Sequence, residues 1–129
     1  MSEASKEILV VDDDAIMREL VVDWLEGAGY RVRAVADCSA ATQEAGREAP
    51  ALVISDMWMP GPCGGDAITR LKKRFPQVQL IAISGHFNSG QGFSAEAALK
   101  AGAERALAKP VERRELMRAV AELLGPATR

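Results

Sequence analysis

Five polar residues stand where short apolar runs end. Asp12 and Asp13 follow Ile8-Leu9-Val10-Val11, Asp56 follows Leu52-Val53-Ile54-Ser55, Ser84 follows Ile81-Ala82-Ile83, and Lys109 follows Ala106-Leu107-Ala108. If the run ends share one edge, three carboxylates face a hydroxyl and an ammonium. Crowded carboxylates repel, so they hold either protons or a cation. A hard divalent ion with oxygen ligands suits them, Mg²⁺ first and Mn²⁺ as the alternative. A lysine and a hydroxyl on the opposite wall suit a phosphoryl group, as a point charge and a hydrogen-bond donor. Aspartate can itself accept a phosphoryl group as a nucleophile. The set therefore points to metal-assisted transfer of phosphate onto a carboxylate. Each residue also has a plainer use: helix capping for Asp12 to Asp14, turn capping for Asp56 and Ser84, and a solvated charge for Lys109.

The elements must bring these residues together. Ala51 to Ile54 is continuously apolar, as a strand buried on both faces of a parallel sheet would be, and the strand is expected to end at Asp56. Glu7 to Val11 reads the same way. A helix should follow it, capped by Asp14, with Met17, Leu20, Val21, Trp24 and Ala28 inward and Gly27 and Gly29 as its stop. Tyr30 to Ala36 alternates charged and apolar residues, which suits a sheet edge. Ser39 can cap a short helix reaching Arg47. Beyond Asp56, a glycine-rich turn from Pro60 to Gly65 leads to a helix over about Asp66 to Arg74, with Ile68 and Leu71 inward. Gln79 to Ile83 is the fourth strand, and a polar, glycine-bearing loop from His86 to Gly92 carries the composition of a mobile segment. A helix near Ser94 to Ala101, a strand from Arg105 to Ala108 and an amphipathic helix from Glu112 to Leu124 complete the chain. Five strands alternating with five helices give an α/β, doubly wound (βα)5 fold with a five-stranded parallel sheet. All carboxyl ends then lie on one edge, where ligands bind in such sheets.

A chain of 129 residues makes one domain, expected over residues 7–125 between tails 1–6 and 126–129. With 48% apolar and 26% charged residues it belongs among globular proteins, and a net charge of -2 gives no nucleic-acid signature. The basic group Lys72-Lys73-Arg74 reads as the solvated face of a helix. No stretch approaches the ~20 apolar residues of a membrane span and no signal peptide precedes the domain, so a cytoplasmic protein without membrane contact is expected. Cys38 and Cys63 lack metal-ligand spacing and His86 is the only histidine, so two free thiols and no zinc site are expected.

These residues carry a resemblance. Ile8-Leu-Val-Val-Asp-Asp-Asp14, Asp56-Met-Trp-Met-Pro60 with Gly64 after it, Ser84-Gly85, Ala101-Gly102-Ala103 and Lys109-Pro110, in order along the chain, resemble the receiver domain of bacterial two-component response regulators. The resemblance implies a flavodoxin-like fold with strand order 2-1-3-4-5. It implies that Asp56 accepts phosphate from a phosphohistidine on a sensor histidine kinase or histidine phosphotransfer protein, signalling to a partner or output domain without being an enzyme. Mg²⁺ would be held by Asp13, Asp56 and the backbone carbonyl of Trp58, with Asp12 acting directly or through water. Ser84 would follow the phosphoryl group, Lys109 would pair with it, and Pro110 would follow a cis peptide bond. A monomer is expected, with dimerisation on phosphorylation as an option.

Three residues or segments depart from the family pattern. Ala106 stands where a switch aromatic is usual, Pro62 replaces an apolar residue, and the loop after Ser84 is longer and richer in glycine. Without the ring, the expected switch is that loop, ordered through Ser84 with Phe87 re-docking and His86 as its polar handle. Two other functions use similar parts. A phosphatase of haloacid-dehalogenase type also pairs an Asp nucleophile with Mg²⁺, but its second Asp would fall at Trp58. A nucleotide- or flavin-binding module fails at the first turn, where Asp12, Asp13 and Asp14 would repel a phosphate.

Overall fold

The computed structural model describes residues 7–36, 49–56, 71–84 and 95–125. Five strands, β1 (Glu7–Val11), β2 (Arg31–Val35), β3 (Leu52–Asp56), β4 (Gln79–Ser84) and β5 (Arg105–Ala108), form one sheet in the order β2-β1-β3-β4-β5. Every pairing is parallel. The expected order and class are those observed.

Side chains alternate between two cores, one on each face of the sheet. Ile8, Val10, Leu52, Ile54, Ile81, Ile83 and Leu107 pack beneath helices α1 (Ala15–Gly27) and α3 (Arg113–Leu124). Leu9, Val11, Val53, Leu80 and Ala82 pack on the other face with Ala98 of α2 (Ala95–Ala101) and with Leu71 and Phe75. Burial on both faces is why the central strands read as unbroken apolar runs.

Asp14 caps α1 as expected, accepting from the N–H groups of Ile16 and Met17 at 3.0 and 3.3 Å. The inward stripe of α1 keeps Met17, Val21 and Trp24 from the expected one, Met17 and Trp24 being partly buried against the core, and differs at two positions. Val21 and Leu25 are its buried residues, while Leu20 and Ala28 are exposed. Lys72 also departs from the solvated charge expected of it. Its ammonium donates to the Val78 carbonyl at 2.7 Å and to Glu104 Oε2 at 2.8 Å, while Glu104 Oε1 accepts the Leu80 N–H at 2.7 Å. Residues 71–74 are helical; the rest of the helix expected there, the helix expected over 39–47, both cysteines and the turn at 60–65 lie outside the described residues.

Candidate acidic phosphoacceptor site

The strand registers assemble the site. Val11 lies beside Ser55, Asp56 beside Ile83, and Ser84 beside Ala108, so the residues at the ends of β1, β3, β4 and β5 fall into one row. Asp56 closes β3 and is 3% exposed, Ser84 closes β4 and is buried, and Asp12, just past β1, is 7% exposed. Asp13 is exposed to solvent beside them. One carboxylate oxygen from each of Asp12, Asp13 and Asp56 can be chosen such that all three lie within 4.8 Å of one another. Lys109 enters from the opposite side and its Nζ donates to Asp56 Oδ2 at 2.9 Å. The Lys109 N–H also donates to the Ser84 carbonyl at 3.0 Å, and the Lys109–Pro110 bond is cis.

The electrostatics follow from this crowding. Burial is the main cause that pushes the Asp12 carboxyl up to about 6; the negative charge of Asp56 adds to it, while the Asp14 N–H and Lys109 oppose it. Burial alone would lower the Lys109 ammonium, but its hydrogen bond to Asp56 and the charges of Asp56, Asp12 and Asp14 outweigh that and hold it above its ordinary value. Among the described residues, Lys109 is the one cation bonded to a carboxylate of this three-carboxylate cluster, which leaves the cluster short of positive charge. Hard oxygen donors at this separation fit a small divalent cation.

Asp12, Asp13, Asp56, Ser84 and Lys109 are therefore brought together as the run ends implied. Ala106 lies on β5, half-buried against the core that holds Ala98 and Ala103. Trp58, His86 and Phe87, with the switch expected of their loop, lie outside the described residues. The run ends did not reveal Arg18. Its Nη1 donates to the Asp12 carbonyl at 2.7 Å. A long basic side chain one turn into the helix that follows an acidic strand end is the signal that could have found it.

A parallel sheet in the order 2-1-3-4-5, with an acidic cluster and a lysine at its carboxyl edge, defines the receiver class of signalling domain. The family model for the response regulator receiver domain matches residues 8–121, and the chain belongs to that family, the receivers of two-component systems. The chain is 35% identical over 108 residues to the chemotaxis protein CheY of Thermotoga maritima, covering 83% of this chain and 88% of CheY. It is also 35% identical to the nitrogen assimilation regulatory protein NtrX of Azorhizobium caulinodans, over 81% of this chain but 23% of NtrX. The chain thus spans about a quarter of that longer regulator. The receiver domain of NtrX from Brucella abortus superposes with a TM-score of 0.82 at 32% identity, covering 91% of this chain and 97% of that one. The haloacid-dehalogenase alternative finds no support in these likenesses. Among the described residues, no helix is long and apolar enough to cross a membrane.

Proposed function

We propose that Asp56 is the phosphoacceptor, taking a phosphoryl group from a phosphohistidine on a sensor histidine kinase or histidine phosphotransfer protein. The observation that carries this reading is the buried Asp56 carboxylate held by Lys109 at 2.9 Å, with Ser84 at the end of the adjacent strand. Asp56 attacks phosphorus in line, the P–N bond to histidine breaks, and the imidazole leaves with the electron pair. Lys109 orients Asp56 before transfer and then pairs with the new phosphoryl oxygens. The Ser84 hydroxyl donates to one of those oxygens and carries the change toward the segment that follows β4. Asp12, Asp13 and Asp56, with the Trp58 carbonyl, would hold Mg²⁺ or Mn²⁺, which when bound offsets the charge of the carboxylates and of the incoming phosphate.

Signalling is stoichiometric in this reading, one phosphoryl group per chain and no turnover of a substrate, in the cytoplasm. The face of α1 beside the site supports a docking helix on the donor. Ile16 is 81% exposed and Leu20 42%. Leu20 lines a groove of about 720 Å³ together with Met17, Trp24, Pro110 and Val111 and with charged residues that include Lys109 and Arg113, and Ile16 lies one turn before Leu20 on the same helix. An output domain or partner protein would read the phosphorylated form.

Incubation with phosphoramidate and Mg²⁺, followed by intact-mass measurement, tests the assignment. One added phosphoryl group is expected, lost in Asp56→Asn and on chelation of the metal. Undiminished labelling of Asp56→Asn would contradict it, and steady hydrolysis of a phosphate ester by the wild type would favour the phosphatase.

A further inference from the structure

We infer that Arg18 is a positioning residue for the metal-binding loop, fixing the Asp12 backbone so that its carboxylate is already aimed when a divalent cation arrives. This rests on the proposed function, since it assigns Asp12 to the cation.

Asp12 sits one residue beyond the last residue of β1, where the sheet gives way to loop. Three separate bonds hold it there. Its N–H donates to the Val35 carbonyl at 3.2 Å, its Oδ1 accepts the Asp14 N–H at 2.9 Å, and its carbonyl accepts Arg18 Nη1 at 2.7 Å. The first comes from the sheet and the second from within the loop. Only the third comes from the body of α1. The Arg18 backbone is held in place, because its N–H closes the first helical turn onto the Asp14 carbonyl at 2.9 Å, and Asp14 caps the same helix with its side chain. Helix and strand end are thus joined across the loop by a charge-assisted bond, which is shorter and stronger than a neutral one. Among the described residues no backbone N–H is bonded to Asp12 Oδ2, and the carboxylate meets that of Asp56 across the cleft. Arg18 engages main chain and not a carboxylate, so it aims the ligand without competing for the cation's place. Groups that orient metal ligands in this way typically contribute tenfold or more to affinity.

Arg18→Ala and Arg18→Lys, compared with wild type, test the role. The Mg²⁺ concentration giving half-maximal phosphorylation by phosphoramidate should rise roughly tenfold in Arg18→Ala. The rate at saturating Mg²⁺ should be unchanged, because Asp56 and Lys109 are untouched. Arg18→Lys, which keeps one charged donor, should recover part of the loss. Without metal, amide exchange at Asp14 should quicken in Arg18→Ala while the amides of β3 and β4 keep their protection. A lower melting temperature with an unchanged Mg²⁺ midpoint and unchanged Asp14 exchange would reduce Arg18 to a stability contact and overturn the inference. If Mg²⁺ has no effect on the wild type, the proposed function fails with it; if the wild type responds and Arg18→Ala responds alike, only the role of Arg18 fails.

Discussion

The two edges of the sheet treat charge in opposite ways. At the amino edge, polar groups find partners nearly one for one. Lys72 meets Glu104, Glu104 also accepts the Leu80 N–H, Gln79 Nε2 donates to the Leu123 carbonyl at 3.0 Å, and the Tyr30 hydroxyl donates to the Gly125 carbonyl at 2.8 Å. Arg33 Nε lies 3.0 Å from Glu7 Oε2, an ion pair by distance, and Glu7 Oε1 is the exception, buried without a hydrogen bond among the described residues. At the carboxyl edge, three carboxylates share one lysine. The amino edge is built for stability, and the carboxyl edge, among the described residues, gathers an excess of carboxylates that a bound cation would offset. Mutations should therefore change stability with opposite sign at the two ends.

The largest effect is expected from the amino edge. Glu104→Ala leaves the Lys72 ammonium with one acceptor fewer and removes the partner of the Leu80 N–H, at a cost of about 2 kcal/mol in denaturant unfolding. A cost near zero would show that solvent replaces these bonds freely.

The carboxyl edge should respond the other way. The folded Asp12 carboxyl is raised from 3.8 to about 6. Its contribution to stability is therefore fully present below pH 3.8 and is lost as pH rises through about 6. In chelator at pH 7.5, Asp12→Asn should stabilise the protein by on the order of 2 kcal/mol and flatten its stability between pH 4 and 7. Saturating Mg²⁺ should shrink or reverse that gain, because the wild type then binds what the variant cannot. Destabilisation by Asp12→Asn in chelator would contradict the imbalance.

A smaller effect separates docking from chemistry at the same edge. Ile16→Asp should slow transfer from a phosphorylated histidine phosphotransfer protein roughly tenfold, about 1.4 kcal/mol, and leave labelling by phosphoramidate unchanged. Equal slowing of both would place Ile16 in the site instead of on a docking face.

The smallest effect returns to the amino edge. Tyr30→Phe should cost about 1 kcal/mol through the lost bond to the Gly125 carbonyl. Burial raises the Tyr30 hydroxyl above its ordinary value of 10.0, so its contribution is intact below pH 10 and declines above it. The variant should lose that alkaline slope, as urea unfolding at pH 9 and pH 11 would show.

How much was legible in the sequence follows the same division. The carboxyl edge could be read because its residues end apolar runs, and a run buried on both faces marks its own strand: β1 spans Glu7–Val11 as expected and β3 ends at Asp56. The amino edge could not, because its pairs are distant in sequence. Tyr30 and Gly125 are 95 positions apart, and Lys72 and Glu104 are 32. Nothing local distinguishes a lysine that reaches back to Glu104 from one in water. Helix α1 shows a different limit. Residues 20, 21, 24 and 25 are all apolar, so helical spacing admits two neighbouring stripes, and only packing chooses Val21 and Leu25 over Leu20.

Chemical trapping of the labelled residue tests the central claim most directly. An acyl phosphate on aspartate is reduced by borohydride to homoserine, which peptide sequencing by mass spectrometry locates. After phosphoramidate and Mg²⁺, homoserine is expected at position 56 and at no other aspartate, with none formed when chelator replaces Mg²⁺. Homoserine at position 12 or 13, or a stable phosphoryl group that borohydride leaves in place, would contradict Asp56 as the phosphoacceptor.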